Sequence, residues 1–315
     1  MSKHIVAGAG PIGSAVARQL AAAGESVVVV TRSGSGPDDP NVTKIAADAA
    51  DAAKLSSIAY GAVAIYNCAN PPYTSWPTDW PPIAAALLEA AHKSGAVLAT
   101  CSNLYGYGPV DGPISPDLPL AATGTKGRVR ATMWEQALAA HQRGDARVTE
   151  VRGSDYVGPG VNSHLGERVV PRLLAGKGVS VVGSPDQPHS WTFTDDMARA
   201  LVATAAAPQA WGRAWHAPTN PARTAREAIA DMADIADVPM VKVKGMSKSM
   251  LSAVGLFSPM VRELKETYYQ FNAPFVIDDS ATRSELGLEP TPWNQVLVAH
   301  LEPFGPPAKQ TPRQR

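Results

Sequence analysis

The sequence is poor in cysteine and carries no excess charge of either sign. Cys68 and Cys101 are the two cysteines in 315 residues, which indicates reduced thiols rather than a disulfide framework. The 28 basic and 28 acidic side chains give a formal net charge of zero, which argues against nucleic acid or a membrane surface as a partner. The seven histidines are scattered, so we expect no metal site.

Long hydrophobic runs are also missing. No uninterrupted apolar stretch approaches the roughly 20 residues that a membrane-spanning helix needs. Residues 1–6 lead directly into a strand pattern, without the apolar region or cleavage site of a signal peptide. We therefore expect a cytoplasmic protein, a monomer or homodimer, whose partner is a small-molecule substrate.

Strand and helix patterns alternate through the first half of the chain. Short apolar or β-branched strands are predicted at 5–7, 26–31, 41–46, 62–68, 96–102 and 148–152. Helices are predicted between them at 11–23, 50–60, 81–94 and 126–142. Strands separated by helices imply right-handed βαβ units. The predicted fold class is therefore α/β, a doubly wound parallel sheet of the Rossmann type.

The pattern changes beyond about residue 158. Helices are predicted at 165–175, 195–207, 223–236 and 258–271, and short strands at 179–182, 215–217 and 241–243. We predict a dinucleotide-binding domain over 1–160, to which 190–207 return, and a smaller C-terminal substrate-binding lobe mainly over 161–302. The Pro-, Gln- and Arg-rich end, 303–315, predicts a disordered tail.

A Gly-x-Gly-x-x-Gly motif over residues 8–13 lies between the first predicted strand and the first helix. Gly8 permits the tight turn, Gly10 lets the backbone approach a pyrophosphate, and Gly13 lets helix and strand pack closely. The free N–H groups at the helix start then hold the anion, and Pro11 and Ile12 are predicted cofactor-binding residues together with the three glycines. A turn without a ligand is the less favoured alternative.

The end of the second strand determines which dinucleotide is expected. An NAD site places Asp or Glu there, whereas this chain has Thr31, Arg32 and Ser33. A neutral residue followed by Arg removes repulsion of a 2′-phosphate and supplies a charge-assisted partner for it. The segment favours NADP as cofactor and leaves NAD possible; Arg32 as an ordinary surface residue is the alternative.

Several further stretches occur in the order of a known family. They are 47–48, 67–70, 104–106, 152–160, 193–198 and 278–288. With the glycine motif they resemble the extended or atypical branch of the short-chain dehydrogenase/reductase superfamily, the NAD-dependent epimerase/dehydratase group. The resemblance implies further cofactor contacts. These are Asp48 at the adenine, Asn67, Ala69 and Asn70 along the cofactor, and Ser154 and Tyr156 in the segment beside the nicotinamide.

The family's proton relay is only partly present. It uses a Ser or Thr, a Tyr, and a Lys four residues after the Tyr, which holds the nicotinamide ribose; the resemblance gives the Lys role to Lys126. Ala122 occupies the Tyr position, and a shift by one residue gives Thr123, whose hydroxyl has no useful acidity. The Ser/Thr position, four residues before Tyr105, is Cys101.

Other residues are candidates for the missing groups. Ser102, beside Cys101, restores a hydroxyl if the alignment shifts by one residue. Tyr105 and Tyr107 follow the fifth strand at the carboxyl edge of the sheet, so either is a candidate proton donor or a packed aromatic. Lys126 itself is a third candidate acid. We expect Arg128 and Arg130 at the surface.

The predicted substrate pocket combines Tyr105 and Tyr107 with residues of the lobe. Its further members are Tyr156, His164, His189 and Trp191. His189 occupies a position where family members that bind nucleotide sugars usually have an Arg, which indicates a less charged, partly aromatic pocket. A loop histidine bonded to the backbone is the alternative. Trp76 and Trp80 either line this pocket or belong to the core.

These features predict an atypical NADP-dependent oxidoreductase of the epimerase/dehydratase family. It would move hydride to or from a small carbonyl or alcohol with a non-standard proton donor. One alternative is a catalytically silent NAD(P)-binding sensor or regulatory protein. A further alternative is an NAD-dependent sugar epimerase or dehydratase.

Overall fold

The computed structural model describes residues 1–255 and 259–305, which form two compact units. The sheet unit contains Met1–Ser154, Thr194–Thr219 and Ile277–Pro290. The second unit contains the described residues within Asp155–Phe193, Asn220–Val276 and Thr291–Arg315. In chain order the strands are β1 (Lys3–Ala7), β2 (Ser26–Thr31), β3 (Val42–Ala46), β4 (Ala62–Asn67), β5 (Val97–Asn103), β6 (Arg147–Gly153), β7 (Asp155–Val157), β8 (Val179–Val182), β9 (Trp191–Phe193), β10 (Ala214–His216) and β11 (Val243–Met246).

The α-helices follow most of the predicted positions in the first half of the chain. They are α1 (Pro11–Ala22), α2 (Ala52–Ala59), α3 (Trp76–Ser94), α4 (Thr125–Gln142), α5 (Val170–Leu174), α6 (Thr194–Ala206), α7 (Ala225–Ile235), α8 (Lys248–Gly255), α9 (Pro259–Thr267), α10 (Ser280–Leu286) and α11 (Trp293–Leu301). Among the described residues, no helix is both long enough and apolar enough to cross a membrane.

The sheet unit is built on seven parallel strands in the order β10-β6-β5-β4-β1-β2-β3. The four valines of β2, Val27 to Val30, are all buried, as expected for a strand covered on both faces. On one face α2, α3 and α4 contribute Leu55, Leu87 and Trp134 to a core with the strand residues. The α/β prediction with a doubly wound parallel sheet is confirmed.

The boundaries of the sheet unit differ from those predicted. The unit ends at Ser154 rather than at residue 160, and the segment that returns to it is Thr194–Thr219 rather than 190–207. The return is longer because the strand predicted at 215–217 pairs with β6 as β10 instead of joining the lobe. The segment Ile277–Pro290 also belongs to the sheet unit. It is attached to β10, because Thr282 Oγ1 of α10 donates a hydrogen bond to His216 O at 2.6 Å.

The second unit contains two pairs of short parallel strands, β7 with β9 and β8 with β11. Its core lies among α5, α7 and α11 and includes Leu173, Met232 and Leu297. The helix predicted at 165–175 is shorter in the structure, where it is α5, Val170–Leu174. The helix predicted at 258–271 is divided into α9 and a 3₁₀ turn, Tyr268–Phe271. Of the predicted tail, 306–315 lies outside the described residues.

Candidate functional site

The glycine motif forms a tight corner between β1 and α1. Gly8 has a φ of +100°, and a Cβ there would lie 2.4 Å from Cys68 O. A Cβ on Gly13 would lie 2.0 Å from Gly8 O. These two positions therefore require glycine for the protein's own backbone packing.

Gly10 differs from the other two glycines. A Cβ added there would meet no atom of the protein within 4 Å, and its φ of −67° suits any residue. Gly10 is the N-cap of α1, and no side chain caps that helix start. The corner thus offers backbone amides and open space to a phosphate group, which fits the pyrophosphate of a dinucleotide.

The end of β2 carries no carboxylate. Thr31 Oγ1 donates a hydrogen bond to Ser35 O at 3.0 Å, and Ser33 Oγ donates one to Ser35 Oγ at 2.9 Å. Arg32 is exposed and makes no hydrogen bond or ion pair with another described residue. The guanidinium is therefore available to an anionic group.

The loops after β3 and β4 contain the other predicted cofactor contacts. Asp48 is exposed, and its Oδ1 accepts a hydrogen bond from Ala50 N at 2.9 Å. Asn67 is buried, and its Oδ1 accepts one from Ala69 N at 3.3 Å, while Asn70 is exposed. Because β1 and β4 are neighbours, the 67–70 loop begins beside the glycine corner.

Lys126 lies in the first turn of α4 and is 3% exposed. Its Nζ is 4.7 Å from the ring centroid of Tyr73, and Tyr73 Oη donates a hydrogen bond to Tyr105 Oη at 3.1 Å. Both tyrosines are half-buried. The structure therefore brings Lys126 and Tyr105 together with a tyrosine that the sequence analysis did not select.

Gly127 explains how α4 approaches Tyr105 so closely. A Cβ on Gly127 would lie 2.6 Å from Tyr105 O and 2.3 Å from Ala122 Cβ. Ala122 N also donates a hydrogen bond to Gly106 O at 3.1 Å. The helix start and the 3₁₀ turn Tyr105–Tyr107 are thus in direct backbone contact.

A cation–aromatic cluster lies next to Tyr73 and Tyr105. The Arg130 guanidinium carbon is 4.7 Å from the Trp76 ring centroid and 4.2 Å from that of Trp80. The surface position predicted for Arg130 is wrong, since the residue is 7% exposed; Arg128 is exposed as expected. Both tryptophans are buried core residues.

The spacing of these residues in the sequence already indicates this cluster. Positions 73, 76 and 80 are three and four apart, the spacing that places side chains on one face of a helix. Lys126 and Arg130 are likewise four residues apart on α4. An aromatic face and a cationic face attract each other, because the positive charges lie favourably over the aromatic rings.

Tyr107 lies in a different environment from Tyr105. It is 1% exposed, and its Oη accepts a hydrogen bond from Arg152 Nη1 at 2.6 Å. His216 Nδ1 donates to Asp278 O, so its Nε2 accepts from Tyr107 Oη at 3.0 Å. Burial raises the pKa of Tyr107. This placement favours a structural role for Tyr107 over the predicted role as proton donor in a substrate pocket.

Cys101 and Ser102 lie near the carboxyl end of β5, where Ser102 is buried and Cys101 half-buried. Burial, and then the neighbouring Cys101, raise the pKa of Cys68 well above the usual thiol range. Both cysteines are free thiols, as expected. A protonated Cys68 next to the glycine corner adds no negative charge near a bound phosphate.

In the second unit the structure brings His164, His189 and Trp191 together. The His189 ring is 4.5 Å from that of Trp191, and both His164 and His189 stack on Phe271 at 4.2 Å and 5.1 Å. Burial lowers the pKa of His164 to about 4. Tyr156 pairs in register with Thr192 on the neighbouring strand.

Both ring nitrogens of His189 are already used within this unit. Its Nε2 is 2.8 Å from Asp155 Oδ2, and its Nδ1 donates to Gln270 O at 3.2 Å. A histidine held in this way cannot replace an arginine as the clamp of a diphosphate. Aromatic rings do surround His189, but the Asp155 carboxylate lies against its Nε2, so its surroundings are not free of charge.

Comparison with known proteins identifies the family. The family model described as the NAD dependent epimerase/dehydratase family matches residues 4–215, which include the glycine corner and all seven strands of the sheet apart from the ends of β1 and β10. The chain belongs to the NAD-dependent epimerase/dehydratase family. The match covers the stretch that holds Ala122 and Lys126.

Solved structures of the same fold cover nearly the whole chain. One is DesIV, a dTDP-glucose 4,6-dehydratase from Streptomyces venezuelae with NAD and TYD bound, with 20% identity over 95% of this chain and 97% of that chain and a TM-score of 0.75. Another is UDP-glucuronic acid 4-epimerase from Bacillus cereus in complex with NAD, with 18% identity over 96% and 98% and a TM-score of 0.78.

A third solved structure is MoeE5 in complex with UDP-glucuronic acid and NAD. It has 23% identity over 96% of this chain and 99% of that chain, with a TM-score of 0.75. A search of curated protein sequences gives no match to this chain. At these identities the structural likeness shows the fold, and the family assignment rests on the family model.

Proposed function

We propose that this family member binds a nicotinamide dinucleotide at the glycine corner and moves hydride to or from an alcohol or carbonyl carbon of a small substrate. The observation that carries the proposal is the open space at Gly10, at an uncapped helix start, between two glycines that the fold itself requires. A phosphate group is the ligand that such a corner fits.

The chain's own residues have distinct tasks in this proposal. Backbone amides from Gly10 onward hold the pyrophosphate, and the 67–70 loop lies along the dinucleotide. Lys126, buried at the start of α4, binds the ribose hydroxyls. When bound, the dinucleotide supplies the hydride chemistry that no side chain can provide.

NADP is the proposed form of the cofactor. The support is the lack of a carboxylate at the end of β2 and the exposed Arg32, which has no described partner. A charge-assisted bond to the 2′-phosphate would favour NADP over NAD by about 1.5–3 kcal/mol, roughly 10- to 150-fold in affinity.

Titration calorimetry with both dinucleotides tests the cofactor assignment. We expect Arg32→Ala to weaken NADP binding at least about tenfold and to change NAD binding much less. Arg143→Ala removes another exposed arginine and serves as the matched control. Equal losses for NADP and NAD in Arg32→Ala would reject the preference for NADP.

A substrate panel tests hydride transfer itself. The absorbance of the reduced nicotinamide is followed with the full chain, one dinucleotide and a series of small alcohols or carbonyl compounds. Turnover of any of them supports the proposal. A large affinity difference between oxidised and reduced dinucleotide, with no hydride transfer to any compound, would instead indicate a sensor.

A sugar epimerase or dehydratase that uses NAD is the second candidate. The family assignment favours it, and solved structures of the same fold contain NAD with UDP-glucuronic acid or UDP-glucose. Ala122 and the occupied His189 ring argue for a different substrate. Product analysis by NMR after incubation with UDP- and dTDP-sugars distinguishes the two candidates.

A further inference from the structure

We propose that the hydroxyl pair of Tyr73 and Tyr105, beside Lys126, moves the proton that the tyrosine missing at position 122 would otherwise move. The inference rests on the proposed function, because a proton must be exchanged at the substrate oxygen when hydride moves at its carbon. Its basis is a cluster of two phenols and an ammonium group within the sheet unit.

The hydroxyl pair has the geometry of a short proton path. Tyr73 Oη donates to Tyr105 Oη at 3.1 Å, a normal hydrogen-bond distance. Either phenol can donate across this distance, so a proton can pass between the two oxygens in both directions. In the proposal Tyr105, which follows β5, delivers the proton onward, and Tyr73 replaces it.

Lys126 supplies the positive charge that such a pair needs. The residue is 3% exposed, and its Nζ lies 4.7 Å from the centre of the Tyr73 ring. An ammonium group at this position attracts the electron-rich ring face and stabilises negative charge on the phenol when its proton leaves.

The pair also lies where ligands of such sheets bind. Tyr105 follows β5, and Tyr73 follows the loop after β4, so both lie beyond the carboxyl ends of adjacent parallel strands. Both side chains are half-buried, so a substrate oxygen can reach them. Tyr107, by contrast, is enclosed by Arg152 and His216 and fits no such role.

A rigid support holds the two rings. Trp76 lies 5.0 Å from the Tyr73 ring, edge to face, and 5.9 Å from the Tyr105 ring. Arg130 stacks on Trp76, one helical turn after Lys126. The hydroxyl pair is thereby positioned on packed elements rather than on a mobile loop tip.

The proton step balances in both directions. In reduction Tyr105 would give its proton to the carbonyl oxygen, with a bound reduced dinucleotide as the hydride source for the carbonyl carbon. Tyr105 regains a proton from Tyr73, which water then reprotonates. In the reverse direction Tyr73 releases a proton to water and takes up that of Tyr105. The resulting Tyr105 phenolate would then accept the proton of the substrate hydroxyl, with a bound oxidised dinucleotide as the hydride acceptor.

The first test needs no substrate. Phenolate formation is followed by ultraviolet absorbance during a pH titration of the full chain, for wild type, Tyr73→Phe, Tyr105→Phe and Tyr60→Phe. Tyr60, 83% exposed, is the matched control for loss of one hydroxyl. We expect the earliest phenolate step to disappear in the Tyr73 or Tyr105 variant, and to persist in Tyr60→Phe.

Lys126→Met completes this titration. Loss of the ammonium group should move the earliest phenolate step upward by about one pH unit or more. An earliest step that is the same in wild type and all of these variants would overturn the proposal. Near-ultraviolet circular dichroism of each variant shows whether the aromatic cluster remains folded.

The second test measures hydride transfer with any substrate found for the wild type. We expect Tyr105→Phe to lower kcat roughly 100-fold or more and to change the pH profile, while Tyr60→Phe remains within twofold. Normal rates in both Tyr73→Phe and Tyr105→Phe would reject the proton relay but not the proposed hydride transfer. A wild type that binds no dinucleotide would reject the proposed function, whatever the phenolate titration gives.

Discussion

At the residue scale, the three glycines of the motif differ in whether backbone packing requires them. Gly8 and Gly13 have backbone oxygens within 2.4 Å of the position of an added Cβ, so the fold itself excludes any other residue there. Gly10 meets nothing. Packing does not require glycine at Gly10, so helix capping and the close approach of a ligand remain as reasons for it.

Gly10→Ala separates binding from folding. We expect the variant to lose at most about 1 kcal/mol of stability, since alanine is a poorer N-cap than glycine. Dinucleotide affinity should fall at least about tenfold, because the methyl group occupies the space of the pyrophosphate. Thermal unfolding and calorimetry measure the two effects; unchanged affinity would place the ligand elsewhere.

Tyr107→Phe tests the alternative phenol. The buried hydroxyl bridges Arg152 and His216, so its removal should cost about 1–3 kcal/mol of stability. Hydride transfer should remain within twofold of wild type. Tyr60→Phe again serves as control, with a stability change below about 0.5 kcal/mol. A large rate loss without loss of stability would make Tyr107 the proton donor after all.

At the element scale, the start of α4 is determined by one close backbone approach. Gly127 lets the first turn of the helix contact the Tyr105 carbonyl, which brings Lys126 to the tyrosine pair.

The start of α3 shows a different effect. Prolines 81 and 82 suggest a helix beginning there, yet α3 begins at Trp76. Burial of Trp76 and Trp80 compensates for the helix hydrogen bonds that the prolines cannot make.

Gly127→Ala tests the approach of α4. The higher helix propensity of alanine favours the variant by about 1 kcal/mol. The added Cβ, however, would lie 2.6 Å from the Tyr105 oxygen, and overpacking against backbone costs about 1–3 kcal/mol. We expect net destabilisation in urea unfolding. A stabilised Gly127→Ala would contradict this packing.

At the scale of the whole molecule, buried neutral histidines make stability depend on pH. Burial lowers the pKa of His216 to about 3 and that of His164 to about 4, and it also lowers those of His4 and His300. Unfolded chains protonate histidine near pH 6.5. Between these values the unfolded state binds more protons, so stability falls as the pH falls.

Urea unfolding between pH 8 and pH 4 measures this dependence. We expect a nearly constant free energy of unfolding above about pH 6.5, with a loss of up to about 1.4 kcal/mol per pH unit for each neutral histidine below it. His164→Gln should reduce the slope below pH 6.5. His92→Gln, at an exposed histidine, should not. Stability that rises on acidification would contradict the assigned neutral histidines.

The sequence by itself determined the sheet, the glycine corner and the family. These features are local, because β-branched runs, strand–helix alternation and required glycines are read from neighbouring residues. Tertiary structure decided the rest. It placed β10 in the sheet, buried Arg130 between two tryptophans, enclosed Tyr107 and brought Tyr73 to Tyr105 and Lys126. Such contacts join residues that are far apart in the chain. They are determined by how helices and loops pack together and not by the spacing of residues along the sequence.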